Sequence, residues 1–304
     1  MFAYNDVGVR ALEALLACGY EIPLVVTHED DPDERVWFPS VAVHACRYGI
    51  DVIRPEQSEL PALGTRIAAL QPDFLFSFYY RYMIPAPLLE LAPRGALNLH
   101  GSLLPHYRGR APVNWAVLAG EREAGASLHY MTAKPDAGDL VAQEAVPILP
   151  NDTAAAVMTK IGVVGERLIW RVAPQLAAGT APRTALDLAA GNYCGRRRPD
   201  DGRVDWSRGA WAIHNLIRAV APPYPGAFSD IARGRLWLLG SHYQAERAHH
   251  ARPSLYAENH QLYVDCADGE RFGLLTAALD AQPLAAESLS ALFSGDVIPL
   301  DENT

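Results

Sequence analysis

Residues 73–100, DFLFSFYYRYMIPAPLLELAPRGALNLH, carry the pattern that decides the fold. Asp73–Ser77 is a short aromatic and apolar run suited to a buried strand, Pro85–Leu91 reads as a short helix, and Ala96–His100 is a second strand-like run. Strand, helix and strand joined by short connections make a parallel crossover unit, the building block of a doubly wound α/β sheet. Ligands bind such sheets beyond the carboxyl ends of the strands, so the segments after Ser77 and after Leu99 are where chemistry is expected.

The same alternation extends in both directions. Upstream, Phe2-Ala3-Tyr4 reads as a strand end, and Asn5 or Asp6 is placed to cap a helix carrying Val9, Leu12, Leu15 and Leu16 on one face until Gly19. Ile22–Thr27 is a β-branched strand. An acidic, proline-containing loop follows from His28 to Pro39, then a helix near Ser40–Tyr48, a strand at Asp51–Ile53 and a helix near Leu60–Leu70. The first strand is short, which places Met1 a few residues inside the natural strand. Downstream, Pro112–Leu118 is helical, Ala126–Met131 and Leu140–Pro147 are strands, and Asp152-Thr153 caps a helix reaching about Ala178. Gly179–Asp205 reads as an irregular linker. A helix near Ser207–Val220 then leads to short alternating runs at Leu236–Leu239, Gln261–Val264 and Phe272–Thr276, the mark of a small β domain. The expected division is 1–188, a linker at 189–205, and 206–304.

Bulk properties narrow the function. The 304 residues are 50% hydrophobic and 20% charged, with a net charge of −9. The C-terminal third is also acidic, which argues against a nucleic-acid partner, since such binding draws on phosphate neutralisation. No run approaches the length of a membrane span, and no basic leader precedes an apolar stretch. The four cysteines form no CxxC pair, so neither a zinc knuckle nor a disulfide framework is expected, and a reducing cytoplasm is the simplest setting. The first strand leads into Asn5-Asp6-Val7-Gly8 with no GxGxxG, so dinucleotide binding is unsupported.

The densest polar segment is Asn98-Leu99-His100-Gly101-Ser102-Leu103-Leu104-Pro105-His106-Tyr107-Arg108-Gly109-Arg110. Strand alternation puts Asn98 and His100 on one face at the end where active sites form. A carboxamide beside an imidazole can serve as an oxyanion donor and a proton shuttle. The plainer alternative is a turn cap and a satisfied core histidine. Asp136, between Pro135 and Ala137-Gly138, reads either as a carboxylate acting on the histidine or as an Asx-turn residue. Arg196-Arg197-Arg198 reads as a diphosphate clamp or a solvated charge run. Tyr79-Tyr80-Arg81 reads as an acceptor pocket or aromatic core. His28, His44, His249 and His250 read as packing or surface residues.

The spacing Asn98, His100, Ser102-Leu103-Leu104-Pro105, Gly109 resembles the NxHxSLLPxxxG signature of the folate-dependent formyltransferases. Further segments are similar to one branch of that family, which formylates UDP-4-amino-4-deoxy-L-arabinose in the lipid A modification behind polymyxin resistance. They are Ser77–Tyr82, Lys134–Gly138, Gly195-Arg196-Arg197, Arg218-Ala219-Val220 and Tyr224–Phe228. The resemblance runs from Phe2 to about Phe228. It implies a Rossmann-like catalytic domain followed by a small OB-like barrel, with N10-formyltetrahydrofolate as co-substrate and no metal. It implies Asn98, His100 and Asp136 as the catalytic trio. It places the folate site at the main chain of Tyr82, Met83 and Ile84, at Arg110, and along Thr132, Ala133, Lys134, Pro135 and Asp136. Tyr79, Arg196 and Arg197 are then candidates for the acceptor, a nucleotide-linked amino sugar. A different linked amino sugar, or charged initiator tRNA, is the alternative acceptor. The branch's second, decarboxylating half is not represented in the chain, which reads as a stand-alone enzyme or an excised domain, and oligomerisation stays open.

Overall fold

The computed structural model describes residues 1–30, 36–292 and 297–301; part of the acidic loop and the end of the expected β domain lie outside these. Contacts divide the chain into two compact units, neither a single stretch of sequence. The first comprises Met1–Pro112, Glu123–Val146 and Met158–Gly195, and the second Val113–Arg122, Pro147–Val157 and Arg196 onward.

The first unit contains strands β1 (Phe2–Ala3), β2 (Leu24–Val26), β3 (Asp51–Ile53), β4 (Leu75–Phe78), β5 (Ala96–His100), β6 (Arg108–Gly109), β7 (Glu123–Tyr130), β8 (Leu140–Pro147) and β9 (Tyr193–Cys194). Among them run helices α1 (Asn5–Ala17), α2 (Val41–Arg47), α3 (Gly64–Ala69) and α4 (Ala86–Leu89), whereas α5 (Pro112–Ala119) falls in the second unit but for Pro112, and α6 (Ala154–Ala178) begins in the second unit and continues in the first from Met158. Among the described residues the main sheet has seven strands in the order β3-β2-β1-β4-β5-β7-β8. The pairs from β3 through β5 are parallel, and β7 runs antiparallel to β5. This is the mostly parallel α/β sheet that the alternation predicts.

Alternation along β5 sets both its faces. Leu97 and Leu99 are 0% and 2% exposed and belong to the core. Leu99 lies so near α6 that a side chain at Gly165 would begin 2.8 Å from Leu99 Cδ2. Asn98 and His100 therefore face the other way, one strand step apart.

Local chemistry explains where the observed elements depart from those read in the sequence. Tyr4, not Asn5 or Asp6, takes the N-cap position of α1, while Asn5 Oδ1 accepts from Val7 N at 2.9 Å inside the first turn. Pro61 lies in a 3₁₀ segment, Gln57–Leu63, so only Gly64–Ala69 of the expected 60–70 helix is α-helical. Thr153 Oγ1 caps α6 by accepting from Ala156 N at 3.2 Å. The segment read as a linker is fastened instead: Thr184 bridges Leu140, and β9 pairs in parallel with β6.

The second unit holds α7 (Ala210–Val220), β10 (Ala227–Ile231), β11 (Gly234–Arg247), β12 (Ser254–Glu258), β13 (Gln261–Asp265), β14 (Glu270–Leu279), β15 (Gln282–Pro283), α8 (Leu289–Leu292) and β16 (Val297–Pro299). Its antiparallel sheet follows β10-β11-β14-β13-β12-β16, with β15 on β14, and is the expected small β domain. Register shifts along β11–β14, between Leu238 and Glu246, bend that long ribbon. On α7, Arg218 is 2% exposed. Its guanidinium donates to Asn215 Oδ1 and to the carbonyls of Val117, Leu149 and Asp152 at 2.8–3.4 Å. A buried charge needs such a full set of acceptors.

Leu99→Ala removes a buried side chain from the contact between β5 and α6. It should lower unfolding free energy by about 2–5 kcal/mol, read from the urea midpoint.

Candidate active site

Two strand ends and two loops converge near the carboxyl end of β5. Asn98 is the Cα partner of His129 across the β5–β7 ladder, and His100 is the partner of Ser127. Directly opposed residues share a face, so the antiparallel return brings a second imidazole beside the first. The β7–β8 connection then carries Asp136, at φ +48, back over the strand ends.

His100 is 7% exposed, and its Nε2 lies 2.8 Å from the Tyr107 carbonyl. A carbonyl only accepts, so Nε2 carries the proton and Nδ1 presents its lone pair. Nδ1 is 3.6 Å from Asp136 Oδ1. Burial moves the His100 imidazole below its usual range and keeps it neutral, while Asp136 and the Tyr107 carbonyl act in the opposite direction.

His129 is 1% exposed, and its Nδ1 donates to the Tyr130 carbonyl at 2.9 Å. Its Nε2 has two neighbours, Asn98 Nδ2 at 3.1 Å and Asp136 Oδ1 at 3.5 Å. A neutral His129 accepts from the Asn98 amide, which fixes that amide with its nitrogen inward and leaves the second N–H for another acceptor.

Asp136 accepts from Gly109 N through Oδ2 at 2.8 Å and shows Oδ1 to both imidazoles. Burial alone raises a carboxyl pKa. Here His100, His129 and the Gly109 amide outweigh it and hold Asp136 at about 2. The pair at rest is an ionised carboxylate against a neutral imidazole, which suits an imidazole about to receive a proton.

The loop 101–110 is fixed by few groups. Ser127 Oγ donates to Ser102 O and accepts from Leu104 N, and Gln143 Nε2 donates to both Leu104 O and Ser127 Oγ. Tyr107 has φ +54, a left-handed conformation that costs an aromatic residue roughly 1–2 kcal/mol and is held by the surrounding bonds.

The other residues named from the sequence fall in distinct places. Ile84 is buried in an apolar cluster with Leu88 and Ala96, against which Tyr82, Leu89 and Met131 pack. Among the described residues no hydrogen bond engages the main chain of Tyr82, Met83 or Ile84. A cavity of about 430 Å³ adjoins this cluster, with Leu89, Ala96, Met131, Thr132 and Ala133 among its walls. Asn98, His100 and Asp136 are not among its lining residues. Lys134 and Arg110 are exposed, Pro135 is half-buried, Thr132 Oγ1 donates to Lys134 O at 3.0 Å, and Arg110 N donates to Cys194 O. Tyr79 is half-buried at φ +56. Its neighbour Tyr80 stacks on His28 with centroids 4.2 Å apart, a packing contact. In the second unit Arg196 is exposed, whereas Arg197 lies over the Trp115 ring and donates to Asp201 O. His129 escaped the sequence reading. Its only signal was parity with Ser127 on a strand that pairs with β5, and that pairing is invisible in the sequence.

The family model described as Formyl transferase matches residues 12–173, more than half of the chain, and that of the Formyl transferase C-terminal domain matches 197–289. An N-formyltransferase from Helicobacter canadensis, solved with folinic acid and dTDP-3-aminofucose, superposes with a TM-score of 0.72 at 20% identity, covering 93% of this chain and 98% of that one. WlaRD, a sugar 3N-formyl transferase solved with dTDP and 5-N-formyl-THF, gives 0.69 at 19% identity, with 93% and 96% covered. A 4-N formyltransferase from Francisella tularensis gives 0.60 at 17% identity, with 76% and 92% covered. At these identities the likeness is one of fold. No helix among the described residues is long and apolar enough to cross a membrane.

The depressed Asp136 carboxyl makes a stability prediction. Its contribution is complete above the usual carboxylate pKa of 3.8 and is lost as pH falls through the folded value of about 2. Asp136→Asn should therefore cost on the order of 2 kcal/mol at pH 6, and the deficit should shrink as pH falls from about 4 toward 2. Urea unfolding at stepped pH reads this.

Proposed function

The chain belongs to the formyl transferase family, and from that premise we propose that it moves a formyl group from N10-formyltetrahydrofolate to the amine of a nucleotide-linked amino sugar, with UDP-4-amino-4-deoxy-L-arabinose as the specific acceptor. The observation that carries the chemistry is the convergence of Asn98, His100 and Asp136, with His100 Nδ1 3.6 Å from an ionised carboxylate. Support for a sugar acceptor comes from the folds of sugar N-formyltransferases and from the acidic charge, which disfavours tRNA.

The residues present suit a reduced folate. A pteridine has an edge of donors and acceptors, and the main chain of Tyr82, Met83 and Ile84 offers unengaged partners beside the apolar Ile84 cluster. The neighbouring cavity has the size of a small-molecule site, and its walls include Thr132 and Ala133. When bound, the folate supplies the activated formyl carbon.

The protein's own groups do the rest. The second Asn98 N–H donates to charge developing on the formyl oxygen, an interaction worth roughly 3–4 kcal/mol per donor in comparable sites. His100 Nδ1 takes a proton from the attacking amine and returns it toward the departing nitrogen. Asp136 stabilises the imidazolium so formed, and the Tyr107 carbonyl keeps Nε2–H in place throughout. His129 holds the Asn98 amide in its donating orientation.

His100→Ala should retain folate binding and lose turnover by about 10²–10⁴-fold, followed by formamide formation and by donor fluorescence titration. Loss of donor binding with unchanged turnover per bound complex would overturn the assignment. In the wild type, kcat/KM should fall on the acid side with a midpoint below 6.5, since burial lowers His100. Asp136→Asn should move that limb to still lower pH, because the carboxylate raises the imidazole.

A panel of UDP- and dTDP-linked 3- and 4-amino sugars, with charged initiator tRNA alongside, tests the acceptor. The expected result is formylation of the UDP-linked 4-amino sugar at the highest kcat/KM. Preference for a dTDP-linked 3-amino sugar would move the chain toward the relatives solved with such ligands, and formylation of the tRNA would exclude the sugar reading.

A further inference from the structure

The Gly191–Cys194 segment, which reads from its sequence as part of a linker, lies against the back of the loop that holds the two reactive side chains. Its bonds follow strand alternation. Arg108 N donates to Asn192 O at 3.2 Å and Arg110 N to Cys194 O at 2.9 Å, so these two amides face the segment. Two neighbouring groups face the opposite way: the Tyr107 carbonyl reaches His100 Nε2 at 2.8 Å and Gly109 N reaches Asp136 Oδ2 at 2.8 Å. A trans peptide is planar with its C=O and N–H opposed. Seating Arg108 N–H on Asn192 O therefore aims the Tyr107 carbonyl at His100.

Asn192 adds a second hold, since its Oδ1 accepts from Tyr107 N at 2.5 Å. Close approach needs bare backbone on both sides. A Cβ at Gly191 would lie 2.0 Å from Pro105 O, and one at Gly109 would lie 2.3 Å from Cys194 O. Gly109 also has φ +99, a conformation that favours glycine.

We propose that Gly191 and Asn192 are positioning residues: through the Tyr107–Gly109 main chain they set the tautomer of His100 and the seat of Asp136. The idea rests on the formyl-transfer reading for its kinetic consequence, but its structural half stands without a substrate. Among the described residues the segment hydrogen-bonds to neither the His100 imidazole nor the Asp136 carboxylate. It fixes the one backbone acceptor that keeps the His100 proton on Nε2, and the one backbone donor that keeps the Asp136 carboxylate turned.

The test uses the full chain and three variants, Gly191→Ala, Asn192→Ala and Asn192→Asp. Long-range ¹H–¹⁵N spectra of the histidine rings, assigned with His100→Gln, report the His100 tautomer with no substrate present. The wild type should show a single Nε2–H form. Gly191→Ala and Asn192→Ala should show a mixture of tautomers, with kcat reduced about ten- to a hundredfold and both KM values within about twofold, as for misplacement of a bound reacting group. Asn192→Asp keeps an acceptor for Tyr107 N–H and should restore the single tautomer and most of kcat. If Gly191→Ala fails to fold, the Asn192 pair decides alone. A wild-type tautomer and kcat in Asn192→Ala, or Asn192→Asp as impaired as Asn192→Ala, would overturn the proposal. A wild type that shows the single tautomer but formylates no amine would instead sink the functional reading and leave the positioning role standing.

Discussion

One antiparallel pairing inside a parallel sheet governs this molecule. Running antiparallel, β7 passes Ser127 beside His100 first and ends with Tyr130 beside Leu97, so its side chains meet those of β5 in reverse order. It sets His129 directly across from Asn98 and delivers Asp136 within reach of His100. The ladder thus fixes three of the four polar groups at the site, and the apolar alternation of Leu97 and Leu99 fixes which face they occupy.

The electrostatics of that cluster depend on a contest between burial and partners. For Asp136, two imidazoles and one amide overcome desolvation, so the carboxylate stays ionised. For His100, desolvation prevails over the same carboxylate, so the imidazole stays neutral. Opposite outcomes on either side of one short contact leave a proton vacancy at Nδ1 with a negative group waiting behind it. In bulk water the imidazole would return to its ordinary range, and the neutral form would give way to the cation sooner as pH falls.

The parts legible in the sequence are those with local periodicity. Strand alternation gave Asn98 and His100 a common face, the crossover pattern gave the parallel sheet, and Asp152-Thr153 marked the start of α6. Asp136 was nameable only through resemblance, since a lone aspartate before Ala-Gly is equally a turn residue; its φ is left-handed and its carboxylate accepts from Gly109 N. His129 and the Gly191–Cys194 segment stayed hidden for one reason. Each acts through a pairing across many residues, and pairings leave no mark on composition. A stretch rich in Gly, Asn and Arg looks like a connector whether it floats or is clamped by three main-chain and side-chain bonds.

The scattered make-up of the second unit bears on how this protein can be dissected. Its helix α7 buries the Arg218 guanidinium among carbonyls contributed by Val117, Leu149 and Asp152, residues that precede the β domain by dozens of positions. A fragment beginning at Arg196 would inherit the cation without the three carbonyls that complete its hydrogen bonding in the full chain. Domain swaps between relatives should therefore carry the segments 113–122 and 147–157 along with the C-terminal part, as one graft in three pieces.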